Sequence, residues 1–166
     1  MESGLNVFDE YKRLLYEGEL QKAYRGIIQF MMHLRTRLKA EYPDHEVSRL
    51  YQGYMDMTYF AFTPASLSSL GLKIAIVFLH ESFAFQVWLS ARSKPLQEKY
   101  VTLLNQVDWQ LGTISIPGPG VDSIIEQVLV STPDFENQKS LSDQILLGTL
   151  GFAKKVESLL TGQPNL

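Results

Sequence analysis

Apolar residues return every third or fourth position near both ends of the chain, and that spacing predicts helices there. Asn6 is placed to cap a first helix, with Asp9 and Glu10 in its first turn, where the helix dipole favours negative charge. Gly18 is a natural stop. From Glu19 to Glu41, Leu20, Tyr24, Ile27, Met31, Leu34 and Leu38 fall on one stripe of a long helix. Pro43 ends it, and a short helical turn is expected around 44–50. At the other end, from about Ser140 to Leu160, Leu141, Ile145, Gly148, Phe152, Val156 and Leu159 share a face, with Gly162 and Pro164 as stop signals.

The period changes in the middle. "YMDMTYFAF", residues 54–62, is rich in aromatic and strand-forming types. Residues 64–70 suit a short helix ending at Gly71. "LKIAIVFLHESFAFQVWLSAR", residues 72–92, reads as two apolar strands meeting at a polar tip. Pro95 opens a helix to about Gln106, and "IPGPG" is a turn-rich connection. Asp122 or Ser123 is placed to cap "SIIEQVLV", so 121–131 is read as a short helix, although so short an apolar run suits a strand equally. Strands gathered between helices predict an α+β fold in one domain over 1–166. Its sheet is small and antiparallel, of about three strands (54–62, 72–80 and 83–91), packed against the long N-terminal and C-terminal helices.

The hairpin fixes its own register. With Glu81 and Ser82 at the tip, Phe78 faces Phe85, Ile76 faces Val87 and Ile74 faces Leu89. One face then carries Ile74, Ile76, Phe78, Phe83, Phe85, Val87 and Leu89, which is a core face with His80 at its rim. The other carries Ala75, Val77, Leu79, Ala84, Gln86, Trp88, Ser90 and Arg92. A solvent face would be more charged, and a second core face would not hold Gln86 and Arg92. The mixture points to a groove or a contact surface. If the strand at 54–62 presents Tyr54, Asp56 and Thr58 on that same side, Asp56 and Arg92 both border the groove.

Composition narrows the chemistry. Hydrophobic residues make up 45% of the 166 and charged residues 20%, which is enough to bury a real core. A net charge of -3 gives no global attraction to nucleic acid, and the basic "HLRTRLK" reads as a solvated helix flank. The longest strongly apolar stretch, Ile74 to Leu79, is too short to span a bilayer, and the start of the chain does not read as a signal peptide. A soluble cytoplasmic protein is expected, with no membrane partner. The absence of cysteine removes disulfides, thiolate zinc sites and a cysteine nucleophile. Phosphate-cradling glycine motifs, GxSxG and HExxH are missing. The three histidines, His33, His45 and His80, fall on separate elements. No metal site and no particular cofactor follows from these residues.

The stretches "YQGYMDMTYFAFTP", "LKIAIVFLHESFAFQVWLSAR", "VDSIIEQVLV" and "PDFENQ" together resemble a bacterial protein family known only as a domain of unknown function. The resemblance runs from about Phe8 to Leu160. It implies a bacterial, soluble, single-domain protein, and it transfers no activity or catalytic residue.

The leading expectation is a non-enzymatic domain that binds a small molecule or a partner peptide on the mixed face. Its candidate residues are Tyr54, Asp56, Gln86, Trp88 and Arg92. Trp88 offers apolar area, Arg92 a bidentate partner for an acid, Asp56 a carboxylate, and Gln86 adaptable hydrogen bonds. Two other classes stay open. One is a hydrolase using Asp56 or Glu81 with His80 as acid–base pair. The other is a structural module, or a homodimer built on the stripe of the helix at 19–41.

Overall fold

Gly18 sits at φ 80, and this left-handed residue both ends helix α1 (Val7–Glu17) and starts helix α2 (Glu19–Glu41). The Asn6 side chain caps α1 by accepting the Phe8 N–H at 3.1 Å. The computed structural model describes residues 6–107 and 112–160. After α2 come β1 (Glu46–Val47), β2 (Met57–Thr63), α3 (Ala65–Ser68), β3 (Leu72–Leu79) and β4 (Ala84–Ala91). Then follow α4 (Lys94–Asn105), β5 (Thr113–Ile114), β6 (Ser123–Val130) and α5 (Gln138–Leu160). Gly162 and Pro164, expected as stop signals, lie outside the described residues.

The fold is α+β, as the clustering of strands predicts. Among the described residues the sheet has six strands in the order β1-β2-β3-β4-β6-β5, all neighbours antiparallel. Three strands were expected, so the sheet is larger than the sequence reading. Two of the additions, β1 and β5, span two residues each, too short to leave a periodic trace. β1 replaces the helical turn expected around 44–50. The third correction is 121–131, which is strand β6 rather than a helix. β4 would otherwise expose an open edge, and β6 closes it while burying Ile124, Ile125 and Val130.

The hairpin register is the one the alternation dictates. Phe78 pairs Phe85, Ile76 pairs Val87 and Ile74 pairs Leu89. Of the expected core face, only Phe83 departs. The ladder closes at Leu79–Ala84, and Phe83 turns out of it at φ 53. It remains 46% exposed and rests on Phe78 and Phe135.

Helices α2, α4 and α5 cover this face. Ile27, Phe30, Met31, Leu34 and Leu38 of α2 meet Phe60, Phe62, Ile76, Phe78 and Phe85. Tyr100, Val101 and Leu104 of α4 and Phe152 and Val156 of α5 meet Ile74, Val87, Leu89 and Ile125. The stripe of α2 is therefore core, and it offers no free apolar seam for a second chain on that side.

Candidate functional site

The opposite face of the sheet is a sheltered depression. Its floor is Ala75 and Val77 on β3, and its sides are Tyr59 on β2 and Trp88 on β4. Tyr51 joins Tyr59 from the edge, through a bridge between the two residues and ring centroids 4.9 Å apart. Met57, Lys73, Ser90, Ala91 and Asp122 complete the lining of a cavity of about 410 Å³. That lies in the size range of small-molecule sites. Alternation explains why it exists. Ala61 and Ala75 pair across β2 and β3, and Ala75 pairs Trp88 on β4. Two methyl groups beside an indole leave a hollow that larger side chains would fill.

The sides are held by hydrogen bonds. Trp88 donates its Nε1–H to Gln86 Oε1 at 2.7 Å, one step along the same face. Gln86 thus orients the indole rather than lining the cavity itself. Beyond Trp88, Ser123 donates to Glu126 Oε1 at 2.6 Å, and its hydroxyl lies 2.7 Å from that of Ser115. Burial pushes the Tyr59 phenol up from its ordinary pKa, and Tyr51 and Asp122 add to the effect.

The five residues expected from the sequence do not all meet here. Trp88 lines the cavity, with Gln86 behind it. Tyr54 is 90% exposed. Asp56 lies in the turn before β2, beside Gly53 at φ 75 and Met55 at φ 64. Its carboxylate accepts the Tyr54 N–H at 2.8 Å, and backbone N–H groups hold it below the usual carboxylate range. Arg92 sits at the far end of the sheet, where its guanidinium donates to the Ser68 carbonyl at 3.3 Å. The length of β3, roughly 25 Å for Leu72–Leu79, separates the two ends. Asp56 and Arg92 therefore share no groove, and that placement is corrected. The reason is antiparallel pairing, which sets Asp56 against His80 at one end of β3 and Arg92 against Gly71 at the other, and strand parity separates the faces as well. Thr58 pairs Phe78 and Phe60 pairs Ile76, so Thr58 belongs to the helix side, while Met57, Tyr59 and Ala61 face the groove. The signal was legible, because Phe60 and Phe62 share the parity of Thr58. Lys73 was legible too, one step before Ala75 and Val77 on the same side. Asp122 was not, since it arrives from the loop before β6.

His80 belongs to the helix side. The Thr58 hydroxyl donates to the Gln52 carbonyl at 2.7 Å, and His80 Nε2 lies 2.8 Å from the same oxygen. With the Thr58 proton committed, Nε2 must carry the hydrogen and donate. The imidazole also packs against Tyr24 and the edge of Phe78. Glu81 borders a separate open cleft at the hairpin tip with Met55, Asp56, Leu79 and Ser82. Among the described residues no three His, Asp or Glu side chains form a metal-holding group. No helix among them is long and apolar enough to cross a membrane.

A pH dependence follows from the two packed histidines. Burial lowers the pKa of His80 against the opposing pull of Asp56, and lowers that of His45 against Glu157 and Asp44. Their unfolded value is near 6.5. The folded protein then holds fewer protons than the unfolded chain just below that pH, so stability falls as the solution is acidified through about pH 6.5. The effect levels off below the folded-state values. Carboxylates held low, such as Asp56 and Asp143, act only in a more acidic window. Urea unfolding at pH 7.5 and 5.5 should show the loss, and replacing both histidines by Gln should flatten it.

A family model described as "Domain of unknown function (DUF7000)" matches residues 5–160, and the chain belongs to that family. No curated protein and no solved structure matches it.

Proposed function

We propose that this member of the DUF7000 family is a non-enzymatic binding domain whose ligand occupies the groove on the mixed face of the sheet. One observation carries the reading: a cavity of about 410 Å³ on the face opposite the helices, flanked by Tyr51, Tyr59 and Trp88. Apolar floor, aromatic sides and a few polar groups at one end are the make-up of small-molecule sites. Trp88 is a rigid platform, because its indole N–H is already engaged by Gln86. The ligand therefore meets a ring face rather than a free donor. The acid–base groups support catalysis less well. The Asp56 carboxylate is engaged by the backbone, and His80 is turned to Thr58 on the other side of the sheet.

The test is a thermal-shift panel of metabolites on three proteins: wild type, Ala75→Met and Trp88→Ala. Ala75→Met should fill the floor and cost little stability, since the added atoms enter a hollow. A ligand at ~100 times its Kd should stabilise the wild type by about 2.7 kcal/mol, a rise of several degrees. Both variants should lose that rise while melting cooperatively. Equal shifts in all three would place the ligand elsewhere and end this reading.

A further inference from the structure

The groove has a chemically polarised layout. At one end are Met57, Val77, Tyr59 and the Trp88 ring, and at the other Lys73, Ser90 and Asp122. Lys73 pairs Ser90 across β3 and β4, and Ser90 pairs Ser123 across β4 and β6, with Asp122 next in sequence. Lys73 and Asp122 thus rise from backbones two strand spacings apart, about 10 Å, with Ser90 between them. Both line the same cavity. They form no ion pair with each other, and no carboxylate among the described residues pairs with the Lys73 ammonium. The cation nearest Asp122 is Lys94, at 3.9 Å, and Lys94 already donates to the Val121 carbonyl at 2.5 Å. A positive and a negative charge therefore flank one hydroxyl at the edge of an aromatic hollow.

A ligand complementary to that layout has an apolar ring and a compact head bearing both charges. Resting on the groove reading above, we infer that the site takes a free aromatic α-amino acid. Its carboxylate pairs with Lys73 and its ammonium with Asp122, while Ser90 bonds the head between them. Its ring lies against Trp88 and Tyr59. Lys73 and Asp122 keep their contact with water, so a purely apolar ligand gains nothing from either charge, and a simple acid or amine gains from only one of them. A peptide separates its terminal ammonium from its terminal carboxylate by at least one peptide bond, so the head of a single amino acid fits better.

The experiment is an NMR titration of the full chain, following the Trp88 indole N–H and the amides of β3. The probes are L-phenylalanine, N-acetyl-L-phenylalanine, phenethylamine and indole. L-Phenylalanine should shift these resonances, and loss of either charge should weaken binding by about tenfold or more. Lys73→Gln should lower affinity for L-phenylalanine and leave phenethylamine unchanged. If the two single-charge analogues bind as tightly as L-phenylalanine, the inference falls while the groove stands. The same holds if indole shifts the groove and L-phenylalanine does not. If no probe moves any groove resonance, the aromatic amino acid is overturned, and the groove reading then rests on its own metabolite panel.

Discussion

Leu34→Glu is expected to unfold the protein or leave it barely folded, rather than to separate two chains. Leu34 is 1% exposed and lies between Met31 and Leu38, which are fully buried in the same cluster. Removing such a leucine side chain costs about 2–5 kcal/mol before any charge is considered. The carboxylate adds the penalty of an ion with no partner, several kcal/mol unless it stays protonated. Domains of this kind have roughly 5–15 kcal/mol in all, so the sum reaches most of it. Circular dichroism melts and sedimentation of the soluble fraction check this. A folded, monomeric Leu34→Glu protein from a dimeric wild type would mean that the stripe of α2 is an interface after all. Substitution at Met32, next to Met31 in sequence but on the outer side of α2 and 51% exposed, is the contrasting control and should leave the melting temperature nearly unchanged.

What was legible in the sequence follows from how much buried surface each element carries. The hairpin announced its register because β3 and β4 present Ile74, Ile76, Phe78, Phe85, Val87 and Leu89 to a single core, and a one-residue slip would expose all of them. The α2 stripe was legible for the same reason, with a longer period. β1 and β5 were not, because their pairing is backbone hydrogen bonding over two residues and leaves no alternation to read. β6 was ambiguous because it bends. Register shifts against β4 between Phe85 and Gln86 and between Leu89 and Ser90 break its alternation, so Ile124 and Ile125 are both buried. The groove was half legible. Trp88 and the mixed face stood out, yet the residues opposite depended on the parity of β2, and Asp122 depended on a strand order no single strand records.

Phe78→Ala is the second large effect, and it separates the two faces of the sheet. Phe78 has no exposed surface, and its ring lies within aromatic contact of Phe83, Phe85, Phe135 and His80. It also pairs Thr58 on β2 and Phe85 on β4, so it joins three strands at the level where α2 packs. Replacing a buried phenylalanine by alanine costs about 3–5 kcal/mol, with the upper part expected here because Phe78 is fully buried and its ring contacts four other rings. Phe83→Ala, at a residue 46% exposed, should cost far less although it belongs to the same cluster. Urea midpoints with matched slopes would give both numbers. The neighbouring side chain Val77 points to the groove, so Phe78→Ala should lower stability and leave intrinsic groove affinity little changed at a temperature where the variant is folded. Ala75→Met should do the reverse. If Phe78→Ala instead abolished binding while folded, the floor of the groove would have to depend on core packing through the sheet, and the two faces would not be separable.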